Sequence, residues 1–371
     1  MTLRVVVWGP GNVGRPAIRA VAAHRDLELA GVIVHDPAKV GIDAGELARI
    51  QPLGVAATDD TSLAEADDVD ALVYAVNADF RPDFALDEVE RVLAAGVDVV
   101  STAFYGLLHP PSTPEPLRSR IGAACQSGDS SILVSGIDPG WVLDILPLLL
   151  RGMTADITEI RIQELANYTG YDQPQAVRDL CGFGHPMDYT VPVLTDFALM
   201  SVWAPMIRVL ADGLDLNLSE ITTSRDRQAL DETITVEGMG KFEAGTQGAF
   251  RFEVTGHIAG QPLLVLEHVT RIDDECAPDW PQPDPGRGVH LVTHNEYLAR
   301  RDGIGFAAHL RASGECPWRT RELADVLGRL QEPALQQTRS DRPRERGQSR
   351  DCVGPSARST GPGRDDAARC G

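Results

Sequence analysis

The stretch from Leu3 to Ala20, LRVVVWGPGNVGRPAIRA, decides the fold. An apolar run that ends at Trp8 passes directly into a turn with three glycines, and residues compatible with a helix follow. A strand, a Gly-x-Gly-x-x-Gly turn and a helix form the unit that places the phosphates of a dinucleotide against a helix N-terminus. In that unit Gly9 permits the tight turn, Gly11 lets the backbone approach the pyrophosphate, and Gly14 lets helix and strand pack closely. The pattern predicts dinucleotide-binding residues at Gly9, Gly11, Asn12, Val13 and Gly14.

A second apolar segment, Leu27 to Val34, is predicted to form the next strand, and it ends in His35 and Asp36. An acidic residue about 20 residues beyond the glycines accepts hydrogen bonds from the ribose 2′-hydroxyl. Because a carboxylate repels a 2′-phosphate, Asp36 favours NAD over NADP. Lys39 and Arg15 offset part of that repulsion, so use of both cofactors stays open. A glycine-rich turn in another kind of parallel-sheet protein is the alternative, and the coincidence of strand, glycines, helix and acid disfavours it.

The bulk properties of the chain limit the class of protein. Its 371 residues predict two domains and leave room for an appendage. A net charge of −20 argues against a nucleic-acid partner, because phosphate binding needs clustered Lys and Arg. No apolar run approaches the roughly 20 residues that span a bilayer, so we expect no membrane partner. The N-terminus shows no secretory signal pattern, which predicts a cytoplasmic protein.

The alternation of strands and helices predicts an α/β fold. About six strands precede residue 136, enough for a complete Rossmann-type, doubly wound parallel sheet. Beyond a Gly136–Gly140 turn we expect an α+β domain with an antiparallel sheet, including a long helix over Pro192–Leu214 and a hairpin over Gly245–Ile272. The predicted parts are a dinucleotide-binding domain (1–140), a substrate-binding and dimerisation domain (141–318), and a low-complexity or disordered tail rich in Arg, Gly, Pro and Ser (319–371).

Ligands of a doubly wound sheet bind outside the carboxyl ends of its strands. Asn77 follows the fourth strand, where it would lie near the pyrophosphate or the nicotinamide ribose, and a turn-forming role is equally open. Thr102 and Asp138 end the strands nearest the second domain, so we expect them to flank the nicotinamide. The predicted cofactor-binding set is completed by Asp36, Lys39, Asn77, Thr102 and Asp138.

Hydride transfer that also moves a proton needs a proton donor or acceptor beside the substrate. We predict catalytic roles for Tyr105, Tyr168 and Tyr171, the last two in a run rich in hydrogen-bonding groups, with half-buried packing as the alternative for each. We expect His268 to lie on the surface of a sheet. The spacing of the His, Cys and acidic residues predicts no metal site.

Several segments, in their order along residues 3–292, carry a resemblance to a known family. The chain resembles NAD(P)-dependent enzymes with an N-terminal domain of the dihydrodipicolinate reductase type, most closely 2,4-diaminopentanoate dehydrogenases and the related amine dehydrogenases. The segments are the glycine turn, His35–Gly41 with Asp43–Leu47, the Gly136–Gly140 turn, Gly182–Gly184, Glu267–Arg271 and Asp279–Pro281.

The resemblance implies a nicotinamide cofactor, NAD or NADP, and interconversion of a small amine with an imine, or with a ketone and ammonia, by a homodimer. Two departures qualify it. The resemblance implies an acidic residue after the Thr that ends the fifth strand, whereas here Phe104 and Tyr105 follow Thr102 and Ala103. An apolar C-terminal helix is also expected, and a low-complexity tail stands in its place. A carbonyl reductase and a non-catalytic nucleotide-binding protein are therefore the alternatives.

Overall fold

The computed structural model describes residues 2–79, 81–153, 157–171, 173–283 and 288–295. The predicted tail, 319–371, lies outside these described residues. The first six strands of the protein are β1 (Leu3–Trp8), β2 (Leu27–Ile33), β3 (Ala57–Thr58), β4 (Ala71–Tyr74), β5 (Asp98–Ser101) and β6 (Ile132–Val134).

These strands form one sheet in the order β3-β2-β1-β4-β5-β6, and every pairing in it is parallel. Strand order reverses between β1 and β4, which is the point where doubly wound sheets open a ligand crevice. The predicted Rossmann-type sheet is confirmed.

Helices cover both faces of this sheet and bury separate apolar clusters on the two sides, one around Trp8 and Tyr74 and one around Val7 and Ile18. The four helices are α1 (Gly14–Ala23), α2 (Ala44–Leu47), α3 (Pro82–Ala94) and α4 (Leu117–Gly128).

A second sheet follows along the chain. The strands of this half are β7 (Ile160–Asn167), β8 (Leu218–Ala229), β9 (Ile234–Val236), β10 (Gly240–Phe242), β11 (Gln247–Ile258), β12 (Gln261–Arg271) and β13 (Gly288–His294). Strands β9 and β10 form a separate two-stranded ribbon, and the other five form the sheet. The order of the larger sheet is β13-β7-β12-β11-β8, and all its pairings are antiparallel except β12 with β7. The predicted hairpin is confirmed, with Ala259 and Gly260 at φ 50° and 78° in its turn.

Helices of this second half are α5 (Ile145–Leu150), α6 (Asp196–Ala198) and α7 (Ala204–Gly213). The single long helix predicted over Pro192–Leu214 is wrong at its start. The first turn is a separate 3₁₀ turn, and the Thr195 hydroxyl then accepts a hydrogen bond from the Ala198 amide to cap α6. A π turn over Leu199–Trp203 joins α6 to α7. Pro205 lies in the first turn of α7, and since proline has no backbone N–H it cannot donate the hydrogen bond that a continuous α-helix would need there.

A third apolar cluster lies between these helices and the second sheet, where Trp203 packs on Phe252 at 4.6 Å between ring centroids. Of the helices within the described ranges, none combines the length and the apolar character needed to cross a bilayer.

Candidate active site

A cleft of about 990 Å³ runs along the carboxyl ends of the parallel strands. It continues past the glycine turn to Tyr171 and Gln173, which follow strand β7. The structure thus brings most of the predicted site residues to one surface. Those that line the cleft are Gly9, Gly11, Asn12, Val13, Asp36, Lys39, Asn77, Thr102, Tyr105, Asp138 and Tyr171.

The glycine turn fits a dinucleotide in the way the motif requires. A Cβ on Gly14 would lie 2.1 Å from the Gly9 carbonyl oxygen, so only glycine allows this contact between helix and turn. Gly9 has φ +90° and faces the Ala75 carbonyl. A Cβ on Gly11 would meet nothing within 4 Å, and Gly11 lines the cleft, so its backbone is open to a pyrophosphate. Gly14 itself therefore acts by packing and does not line the cleft.

Asp36 lies at the end of the cleft where the ribose of the adenosine is expected. Its Oδ1 accepts a hydrogen bond from the Ala38 amide at 3.0 Å, and its Oδ2 lies 3.8 Å from the Lys39 ammonium group. Both side chains remain partly accessible to solvent. The carboxylate is thus available to a ribose hydroxyl, while Lys39 supplies a positive charge at the same place.

Asn77 closes a turn after β4. Its Oδ1 accepts a hydrogen bond from the Asp79 amide at 2.8 Å, which is the turn-forming role left open above. This turn presents Asp79 to the cleft beside Thr102 and Tyr105. Burial raises the pKa of the Asp79 carboxyl. The sequence analysis did not select Asp79, although its place two residues after Asn77 at a strand end was a usable signal.

The three tyrosines divide into two groups. Tyr105 and Tyr171 line the cleft, and burial together with the negative charge of Asp79 raises the pKa of both phenols. Tyr168 does not line it; its ring stacks on that of Tyr171 at 4.7 Å, and its hydroxyl donates to Glu164 Oε1 at 3.4 Å. Burial raises the pKa of Tyr168 well above its usual value. Tyr168 therefore supports Tyr171 from behind.

Phe104 occupies the position where the resemblance implies an acid. Its backbone is left-handed, at φ 63°, and its ring stacks on Tyr74 with 6.1 Å between centroids. Phe104 is absent from the residues that line the cleft. The side chain at this position is thus directed into the sheet's apolar core.

A cluster of two histidines and two carboxylates adjoins the cleft at Asp138. His268 Nε2 lies 3.2 Å from Asp138 Oδ1, and His290 Nε2 lies 3.3 Å from Asp138 Oδ2 and 3.2 Å from Glu164 Oε2. Trp203 Nε1 donates to Asp138 Oδ1 at 3.3 Å. We call Asp138, Glu164, His268 and His290 the charged cluster.

Mutual attraction sets the ionisation of the charged cluster. Burial alone would raise the pKa of Asp138, but the two histidines outweigh it and hold that pKa far below its usual range. Burial likewise opposes protonation of His268, yet the carboxylates of Asp138 and Glu164 raise its pKa. The same carboxylates overcome the burial of His290 and raise its pKa to about 9. Asp138 is thus an ionised carboxylate that is paired with two histidines.

The expected surface position of His268 is wrong: its side chain is 7% exposed and its ring stacks on Phe252. One ligand atom each from Asp138, Glu164 and His268 lies within 4.8 Å of the others, a grouping that the sequence did not predict. The geometry favours ion pairs over a metal, because Nε2 of His268 faces Asp138 while its Nδ1 lies 3.6 Å from Glu164. Carboxylates near both ring nitrogens stabilise the positively charged form of this imidazole.

The chain is similar to known oxidoreductases over most of its length. A family profile described as "Dihydrodipicolinate reductase, N-terminus" matches residues 3–104, which include the glycine turn and Asp36. An amine dehydrogenase from Streptomyces virginiae is 51% identical over 292 residues, which cover 78% of this chain and 81% of that protein. A 2,4-diaminopentanoate dehydrogenase from Acetoanaerobium sticklandii is 19% identical over 289 residues, 74% of this chain and 77% of its own.

The fold has a counterpart among solved structures. The structure of an amine dehydrogenase from Mycobacterium smegmatis superposes with a TM-score of 0.61 at 20% identity, over 79% of this chain and 86% of that one. The predicted resemblance is confirmed by the 51% identity to the amine dehydrogenase from Streptomyces virginiae over 78% of this chain. The chain belongs to the amine dehydrogenase family and is an NAD(P)-dependent oxidoreductase with a dihydrodipicolinate reductase-type N-terminal domain.

Proposed function

We propose that this protein interconverts a small primary amine with the corresponding ketone or aldehyde and ammonia, through the imine, with a nicotinamide cofactor. One observation carries the proposal. The chain is 51% identical to a protein named amine dehydrogenase, and Tyr105, Tyr171 and the carboxylate of Asp79 line the same cleft as the glycine turn. These groups suit a substrate nitrogen that changes its protonation during the reaction.

The chain's own residues would hold the cofactor by backbone and carboxylate contacts. Gly11 and Asn12 would face the pyrophosphate, and Asp36 the ribose of the adenosine. Thr102 and Asp138 would flank the nicotinamide, which when bound donates or accepts the hydride. We propose that NAD is preferred, since Asp36 keeps an accessible carboxylate at the ribose position, and that NADP is also used through Lys39.

Tyr105 and Tyr171 are suited to donate protons. Their raised pKa values keep both phenols protonated at neutral pH, so each can donate a hydrogen bond or a proton to a carbonyl oxygen or an imine nitrogen. Tyr171 is the more accessible of the two and reaches the cleft from the second half of the chain. Tyr168 holds Tyr171 in place by stacking.

The proposal includes a division of labour along the chain. Residues 1–140 bind the cofactor, and residues 141–318 bind the substrate and form a cytoplasmic homodimer. Light scattering behind a size-exclusion column tests the dimer directly. A monomer at micromolar concentration would contradict that part of the proposal and leave the chemistry standing.

The test of the function is oxidation of NADH and NADPH with a panel of ketones and aldehydes, each assayed with and without ammonium. We expect turnover that requires ammonium. Turnover that ignores ammonium would identify a carbonyl reductase instead. Tight cofactor binding without turnover across the panel would identify a nucleotide-binding protein without this activity.

A further inference from the structure

The cleft contains three carboxylates, and only one lacks a cationic neighbour. Asp36 lies 3.8 Å from the Lys39 ammonium group. Asp138 lies 3.2 and 3.3 Å from two imidazoles of the charged cluster. Across the residues that the structure describes, no ion pair within 4.0 Å involves Asp79. Asp79 is therefore the carboxylate with charge left to offer a ligand.

Asp79 also occupies the end of the cleft where the substrate is expected. Asp79, Tyr105 and Tyr171 all line the same cleft, so the carboxylate shares it with the two groups assigned to proton donation. Asp36 and the glycine turn define the opposite end. A carboxylate in the same cleft as the two tyrosines is available to the reacting part of a substrate.

We propose that Asp79 binds the cationic nitrogen of the substrate, whether an ammonium ion, an alkylammonium ion or a protonated imine. This inference rests on the proposed function and extends it to a specific residue. Asp79 is exposed to solvent in the cleft, and a carboxylate without a cationic neighbour there attracts a small cation by its charge. The substrate class it selects is small amines without a second negative charge near the reacting nitrogen.

The local structure holds Asp79 for this role. The Asn77 side chain accepts a hydrogen bond from the Asp79 backbone amide. This contact holds the turn without using the Asp79 carboxylate. Phe104 carries no charge, its ring stacks on Tyr74, and it does not line the cleft. The position after Thr102 and Ala103 therefore contributes no charge that would compete with Asp79.

The experiment compares Asp79→Asn with the matched control Asp59→Asn, which changes an exposed aspartate away from the cleft. Three quantities are measured for each: the KM for ammonium at saturating ketone and NADH, the affinity of the enzyme–NADH complex for an alkylammonium ion by fluorescence titration, and the dissociation constant of NADH alone. For Asp79→Asn we expect ammonium and alkylammonium binding to weaken by about 10- to 100-fold, the range for one charged hydrogen bond, with NADH binding unchanged.

The outcomes separate this inference from the function it rests on. No ammonium-dependent turnover in the wild type overturns both. Ammonium-dependent turnover with an unchanged ammonium KM in Asp79→Asn overturns the role of Asp79 alone. Loss of NADH affinity in Asp79→Asn assigns the carboxylate to the cofactor and also overturns it. Asp79→Glu, which keeps the charge, is expected to retain tighter alkylammonium binding than Asp79→Asn, and equal losses would contradict an electrostatic role.

Discussion

His268 Nε2 lies 3.2 Å from Asp138 Oδ1, and this ion pair links the turn after β6 to strand β12 of the second sheet. Asp138 lines the cofactor cleft, whereas His268 is buried behind it against Phe252. The imidazole of His268, whose pKa the neighbouring carboxylates raise, thus lies directly behind a carboxylate that lines the cleft. It removes the penalty of an unpaired buried charge at Asp138.

His290, which pairs with the same carboxylate, makes stability depend on pH. Its pKa in the folded protein is raised to about 9, above the ordinary value of 6.5. A raised pKa contributes stability that is fully present below pH 6.5 and is lost as the pH rises through 9. We expect the thermal midpoint of the wild type to fall over this interval, and to fall less in His290→Gln. His24→Gln, which changes an exposed histidine, serves as control and should keep the wild-type slope. Equal slopes in all three proteins would contradict the ion pairs.

Replacing Gly11 with Val is expected to abolish dinucleotide binding and leave the fold intact. The new side chain meets no protein atom within 4 Å at its Cβ and instead fills the space of the pyrophosphate. NADH fluorescence titration measures binding, and a thermal melt measures folding. Gly122→Val, on an exposed face of α4, should bind NADH like the wild type. Retained affinity in Gly11→Val would place the cofactor elsewhere.

Replacing Gly14 with Ala is expected to lower the free energy of unfolding by about 1–3 kcal/mol, the usual cost of overpacking. The added Cβ would lie 2.1 Å from the Gly9 carbonyl oxygen, a backbone atom that cannot rotate away. Gly122→Ala in α4 meets nothing within 4 Å and should instead gain up to about 1 kcal/mol from helix propensity. Urea unfolding measures both, and a gain in stability in Gly14→Ala would refute the close packing.

Replacing Asp36 with Ser is expected to raise the affinity for NADPH relative to NADH by about tenfold, as for relief of one like-charge contact. A serine hydroxyl can still accept the hydrogen bond that Asp36 receives from the Ala38 amide, so the local turn should persist. Lys39→Gln is the opposing variant and should weaken NADPH binding selectively. Dissociation constants for both cofactors provide the check. A ratio unchanged in Asp36→Ser would show that the carboxylate does not face the ribose.

Much of the fold follows from local pattern. The strand, glycine turn and helix from Leu3 onward require only neighbouring residues, because a turn of positive φ and a close helix contact both demand glycine at fixed spacing. The alternation of strands and helices that predicts the six-stranded sheet, and the turn at Ala259 and Gly260 that predicts the hairpin, are likewise patterns of neighbouring residues. The sequence was also sufficient to select Asp36 and Tyr171 as cleft residues.

Tertiary structure alone decided which charges meet. His268 lies on β12, which is buried at every position from Leu264 to Arg271, so alternation of polar and apolar residues does not show which face is covered. The charged cluster draws its members from a turn and three strands that become neighbours only when the second sheet pairs β7 with β12 and β13. Asp79 differs from Asp138 in being exposed and in having no imidazole beside it, whereas two imidazoles contact Asp138. The sequence determined the glycine turn, because its backbone geometry needs glycine at fixed positions. Which carboxylate of the cleft is left without a cationic partner, and is therefore proposed to bind substrate, was decided by long-range packing.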